Sequence, residues 1–211
     1  MSADGCSDPS VVEWEKDKLM MMTACDGGRC RVYESGDKGE SWTEALGTLS
    51  RVWGNKHEGN EKGVGSGFIT ATLGDGDGKR NVMLVTLPVY LKEAHEENEE
   101  KENEKGELHL WLTDNTHIVD IGPVSGDDDA AASALLYKSG DNNNELIALY
   151  EKKKGGGEKP SSGMVSVLLT EQLKRVREVL ATWREVDERV SSLCPSENAD
   201  HDSSTANACS D

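Results

Sequence analysis

Basic charge is in short supply. The chain sets 23 Lys and Arg against 40 Asp and Glu, a net charge of -17. With no basic stripe to neutralise phosphates, nucleic acid is excluded as a partner, and an anionic membrane surface is disfavoured for the same reason. Long apolar runs are also missing. None approaches the ~18 residues of a membrane span, and the opening "MSADGCSDPS" has neither the charged region nor the apolar stretch of a secretion signal. Hydrophobic residues make up only 35 % of the 211, so a core can form while much of the chain stays in loops or solvated tails. Cysteine pairs at metal-binding spacing are lacking too. Cys25 and Cys30 have no second close pair, so neither a metal nor any other cofactor is expected. The five cysteines, Cys6, Cys25, Cys30, Cys194 and Cys209, leave an odd one over. Cys194 and Cys209 flank a polar tail and suit either a disulfide or two free thiols.

What is present is a succession of short β-rich runs. "SVVEWEK", "KLMMMTAC" and "CRVYES" follow one another closely, then "SGFITATLGD" and "KRNVMLVTLPVY", separated by Asp75-Gly76-Asp77-Gly78, a hairpin signal. "ELHLWLTDN", "HIVDIG", "AASALLYKSG", "NELIALYEK" and "GMVSVLLT" continue the series. Many short strands with turns at regular intervals predict an all-β sandwich, barrel or propeller. Two polar insertions break the rhythm. Residues Lys92 to Glu107 form a mainly acidic run and "KKKGGGEKPSSG" a flexible connection, both expected as solvated loops.

The pattern changes at Thr170. Leu173, Val176, Leu180, Trp183, Val190 and Leu193 recur largely at three- and four-residue spacing, which predicts one helix of about six turns with a single apolar stripe to bury. Pro195 ends it. The expected organisation is therefore a β-domain over residues 1–169, a helix over 170–194 and a disordered tail over 195–211.

The stretch Ser35-x-Asp37-x-Gly39-x-Ser41-Trp42 fits the Asp-box pattern S/T-x-D-x-G-x-S/T-W. Asp37 is suited to accept bonds from nearby backbone N–H groups, Gly39 to take a positive φ, and Trp42 to lay its ring beside the hairpin. The serine hydroxyls can satisfy what remains. This is a device for holding a turn, with no chemistry on a substrate.

Longer segments carry a family likeness. "VYESGDKGESWTEALGTLSRVWG", "LHLWLTDNTHIVDIGPVSG" and "LYKSG…ELIALYE" resemble segments of the trypanosomal trans-sialidase superfamily. "LLTEQLKRVREVLATWREVDERVSSLCPS" resembles the helix that joins its propeller to a lectin-like domain. The resemblance implies the later blades of a six-bladed sialidase β-propeller followed by a long C-terminal helix, without the earlier blades or the lectin-like domain. "LWLTDNTHIVDIG" is read as a decayed second Asp box that keeps the Asp114 turn.

Sialidases of this family use a Tyr nucleophile activated by a Glu, an Asp for acid–base catalysis and three arginines for the sialic acid carboxylate. By motif, Glu13 in "VVEW" matches the activating Glu, Arg29 in "GGRCRVYES" matches one clamp arginine, and Glu151 in "LYEKK" matches a Glu that braces another. Arg31 competes with Arg29, lying two residues along on the same strand face. The nucleophile position, five residues before Tyr137 of "LYK", is Ala132; Tyr137 itself is expected as a core strand residue. Lys105 stands where a second arginine is expected, and Asn103 where a sugar-stacking Trp is expected. The resemblance thus implies an inactive surface protein acting in adhesion, with sialylated glycoconjugates or host-surface and matrix proteins as partners and an extracellular, cell-surface location. The alternatives are a working sialidase or trans-sialidase, and a truncated product without independent function.

Overall fold

The computed structural model describes residues 5–25, 29–45, 49, 53, 63–74, 78–91, 105–140, 144–154 and 161–193, with the side chains at 29, 91, 154, 161 and 162 excepted. Most of the acidic run, residues 155–160 of the glycine-rich connection, Asp75 to Asp77, Asn103, Cys194, Cys209 and the tail lie outside the described residues.

Among the described residues, eleven strands and one long helix follow in order: β1 (Cys6–Glu15), β2 (Lys18–Cys25), β3 (Arg29–Ser35), β4 (Thr43–Glu44), β5 (Gly67–Leu73), β6 (Arg80–Leu91), β7 (Lys105–Thr113), β8 (Ile118–Pro123), β9 (Ala130–Lys138), β10 (Glu145–Lys154), β11 (Ser161–Leu168) and the helix α1 (Thr170–Leu193). They form three antiparallel meanders, β1-β2-β3-β4, β5-β6-β7-β8 and β9-β10-β11. Each strand pairs with its sequence neighbour, as short turns dictate. Two boundaries depart from composition. The expected loop "KKKGGGEKPSSG" is strand at both ends, where Lys152, Lys153 and Lys154 of β10 pair with Gly163, Ser162 and Ser161 of β11, because the hairpin ladder carries the pairing past the apolar residues. Lys105 to Glu107 belong to β7, paired with Val89 to Leu91 of β6, because β6 supplies a backbone edge that the acidic run alone does not reveal.

Burial alternates along β7: Gly106, Leu108, Leu110 and Leu112 face inward while Lys105, Glu107, His109 and Trp111 face the other way. Its neighbour β6 is buried on both faces, which explains its unbroken "VMLVTL". Val82 and Leu84 join one core cluster, shared with the third sheet and α1; Met83, Val85 and Leu87 join another, shared with the first sheet. The second sheet is therefore the filling between the other two, with a separate apolar layer on each side.

The first strands of the three sheets, β1, β5 and β9, lie side by side. Their approach is close enough to require glycine at 67: a Cβ there would stand 2.8 Å from the Leu135 backbone N. The Gly67 N–H donates to Thr86 Oγ1 (3.1 Å) and Ser133 Oγ (3.3 Å), and Ser133 N–H donates to Gly65 O (2.9 Å). All three leading strands begin at one end of the molecule, the rim. The β1–β2, β3–β4 and β7–β8 turns lie at the opposite end, here termed the box end.

Helix α1 begins where β11 stops, with Leu169 N–H donating to Leu146 O (2.8 Å). Leu173, Val176 and Leu180 are buried and Trp183 is half-buried. Trp183 stacks on His117 with ring centroids 5.0 Å apart, and Arg80 bridges Asp114 (2.8 Å) and the helix residue Asp187. The stripe is not buried to its end: Val190 is 55 % and Leu193 79 % exposed. Helical spacing sets which residues share a face, but among the described residues the sheets give that face something to cover only as far as Trp183.

Cys6 and Cys25 face each other across β1 and β2 and form a disulfide. Sequence spacing left that pairing open. Cys30 is a free thiol, and burial pushes its pKa up to about 11. The outer face of the third sheet leaves Leu136, Leu149, Met164 and Leu168 exposed.

Candidate functional site

The Asp-box turn is closed by its own side chains. Asp37 Oδ1 accepts from Ser35 Oγ (2.7 Å) and Ser41 N–H (2.9 Å), and its Oδ2 accepts from Ser41 Oγ (2.6 Å). Ser35 Oγ in turn accepts from Gly39 N–H (2.8 Å), and Trp42 Nε1–H donates to Gly39 O (3.1 Å). Gly39 has φ +92°, a conformation that side chains other than glycine rarely adopt. The Ser41 hydroxyl and N–H, with Ser35 behind them, hold the Asp37 carboxyl down to about 2. The Asp114 turn works alike without the tryptophan. Asp114 Oδ1 accepts from Thr116 N–H (3.0 Å) and His117 N–H (2.6 Å). Burial acts to raise its pKa, but the bonds from His117 and Thr116 outweigh that and leave it lowered.

The substrate-type residues named by motif divide between the two ends. Ala132 lies near the start of β9, and Glu151 shares its face across the strand pair, beside the irregularity between Tyr150 and Lys152. Lys105 begins β7, and the next residue, Gly106, donates its N–H to Asp129 Oδ1 (3.0 Å). Arg29 pairs with Cys25 at the same end, although its side chain is outside the described ones. Glu13 does not join this group. It is opposite Leu19, while Arg29 is opposite Cys25. Six residues of β2 therefore separate them, about 20 Å at the rise of a strand. The "VVEW" motif marks the strand but not the end of it at which a carboxylate would serve.

Asp8 is the carboxylate of β1 that does stand at the rim. It sits in the irregularity between Ser7 and Ser10 with φ +50°, exposed, and its Cβ is 3.6 Å from the Cβ that Gly65 would carry. Sequence reasoning passed over it. The available signal was Asp8-Pro9 within an otherwise alternating run, because proline inside a strand marks a bulge or an edge.

The rim also holds an acidic turn, Asp127-Asp128-Asp129, between β8 and β9. Each member faces a lysine. Lys105 Nζ is 4.0 Å from Asp127, Lys152 Nζ bonds Asp128, and Lys153 Nζ is 3.7 Å from Asp129. Tyr150 donates its hydroxyl to Asp128 Oδ2 (2.8 Å). Burial first, and that bond second, push the Tyr150 phenol up to about 12, whereas Lys152 and Tyr150 hold Asp128 low. The phenol at the rim is thus a donor to a carboxylate, and the lysines are already matched by charge. Among the described residues no group of three or more His, Cys, Asp or Glu could hold a metal ion.

Residues 1–151 match the model of the BNR repeat-like domain family. A sialidase of Trypanosoma cruzi is 41 % identical over 121 residues, covering 57 % of this chain and 9 % of that protein. Sialidase 85-1.1 of the same organism is 36 % identical over 197 residues, covering 89 % and 23 %. The structure is similar to that of Trypanosoma rangeli sialidase in complex with 2,3-difluorosialic acid, a covalent intermediate, with a TM-score of 0.69, 37 % identity and coverage of 89 % of this chain and 27 % of that one. The same sialidase in complex with sialic acid gives a TM-score of 0.67 at 38 % identity. The chain spans less than a third of these relatives. Its three meanders are successive blades of a sialidase-type propeller, and the chain belongs to the BNR repeat-like domain family, within the trypanosomal trans-sialidase superfamily.

Proposed function

We propose that this chain is a catalytically inactive, trans-sialidase-like surface protein segment that acts in adhesion to host cells or matrix. The observation that carries the reading is Ala132. It occupies the position that the family motif gives to the nucleophilic tyrosine, and its methyl group can form no bond to an anomeric carbon. Tyr150 offers no substitute: with a pKa pushed up to about 12 it stays a neutral phenol bonded to Asp128. Lys105, in the place of a clamp arginine, lacks the guanidinium fork that grips a carboxylate with two bonds. With three aspartates matching three lysines at the rim, little net positive charge remains to draw in a sialic acid carboxylate. Adhesion then rests on protein or glycan contacts other than the sialidase clamp.

The competing reading is a sialidase or trans-sialidase, favoured by the covalent intermediate recorded for the Trypanosoma rangeli enzyme. Hydrolysis and transfer assays with 3′-sialyllactose separate the two. No turnover above buffer is expected. Turnover abolished by Asp8→Asn but kept in Glu13→Gln would overturn inactivity and place the working carboxylate at the rim.

A further inference from the structure

We propose that the box end carries a saccharide site distinct from the sialidase rim, built for an uncharged pyranose. A cavity of about 490 Å³ opens there between the β1–β2 turn, the Asp-box turn and the β7–β8 turn. That volume is within the ~300–1,000 Å³ typical of small-molecule sites. Its walls come from the first and second sheets together, so only their packing creates it.

The lining suits a ring with one apolar face and a hydroxylated edge. Trp14 and Leu19 supply apolar surface, and Glu34, Thr43 and Asn115 supply polar groups. An indole covers the C–H face of a pyranose, while a carboxylate accepts from sugar hydroxyls and an amide both donates and accepts. These polar groups are available. The Ser35 and Ser41 hydroxyls are spent on Asp37, but the side chains of Glu34, Thr43 and Asn115 make no hydrogen bond among the described residues. Charge narrows the class further. Glu15 and Glu34 line the cavity with only Lys18 against them, and Lys18 is bonded to Glu15 at 2.6 Å. The remaining Glu34 charge repels an acidic sugar. A quaternary ammonium would call for an aromatic cage, and one indole does not make it.

The walls are also held in place before any ligand arrives. The Asp37 bonds fix one turn. In the other, Asn115 N–H donates to Thr113 Oγ1 (3.0 Å), which donates to His117 O (2.6 Å). Fixed walls remove the ordering cost that weakens small sites.

The test is saturation-transfer NMR on the whole chain with the methyl glycosides of galactose, glucose, mannose and N-acetylglucosamine, and with lactose, 3′-sialyllactose and choline as further probes. At least one neutral glycoside is expected to receive saturation and to bind about tenfold more weakly after Glu34→Ala or Asn115→Gly. Asp8→Asn at the rim is expected to leave its binding unchanged. Both box-end positions are exposed, and glycine accepts the φ of +72° at residue 115, so circular dichroism should report native folds. Absence of transfer to every neutral glycoside would overturn the proposal. So would preferential binding of 3′-sialyllactose or choline, binding unaffected by both box-end variants, or binding lost in Asp8→Asn.

Discussion

Replacing Gly67 by alanine tests how tightly the blades are coupled. The added Cβ would meet Thr86 Oγ1 at 2.5 Å, the Leu135 N at 2.8 Å and the Ala134 carbonyl carbon at 2.9 Å. Two of these neighbours are backbone of β9, so a rotamer change cannot relieve the clash. The leading strands must part by about half an ångström, at the cost of an overpacked core, ~1–3 kcal/mol. Parting them also strains the bonds from Gly67 N–H to Thr86 and Ser133 and the one between those two hydroxyls (2.8 Å), each worth about 1 kcal/mol. A total near 3 kcal/mol follows, which at an m-value of about 2 kcal/mol/M lowers the urea midpoint by about 1.5 M. Gly36 is the control, since a Cβ there meets nothing within 4 Å; Gly36→Ala is expected within about 0.5 kcal/mol of the parent. Equilibrium unfolding followed by tryptophan fluorescence reads both. A Gly67→Ala midpoint within 0.3 M of the parent, or equal losses in the two variants, would refute the strand-contact reasoning.

Further outcomes follow from the same geometry. Leu173→Ala, at a buried helix position, is expected to cost about 2–5 kcal/mol, whereas Leu193→Ala, 79 % exposed, should leave the urea midpoint within error. In a Cys194→Ser/Cys209→Ser background, Cys30 should resist a thiol reagent at pH 8 until the chain unfolds, because its buried thiol is pushed up to about 11; fast native-state labelling would contradict its burial. The Asp37 carboxyl, depressed to about 2, contributes stability that is present above its unfolded value near 3.9 and lost as pH falls through 2. Carboxyl carbon NMR should therefore show it titrating near pH 2, and an ordinary titration near 4 would count against the box bonds.

The strand series, the Asp box and the helix were legible in the sequence because each depends on local rules: alternation, turn chemistry and three- to four-residue spacing. Ser35, Asp37, Gly39, Ser41 and Trp42 are neighbours in the chain and meet in one turn. Residues that meet through packing were less legible. Motif matching put Glu13 with Arg29, whereas strand register sets them at opposite ends and brings Asp8 to the rim. The helix stripe shows the same limit, since its period says which residues share a face but not how far a neighbouring sheet extends beneath them.

By itself, then, the sequence determined the all-β architecture with its closing helix, the box turn and the alanine at position 132, all properties of identity and short-range spacing. Tertiary structure alone decided the Cys6–Cys25 disulfide, the matching of Lys105, Lys152 and Lys153 by three aspartates, and the cavity at the box end. The physical reason is distance along the chain: such groups are brought together by the register of paired strands and the stacking of one sheet on the next, and a linear pattern does not encode their separation.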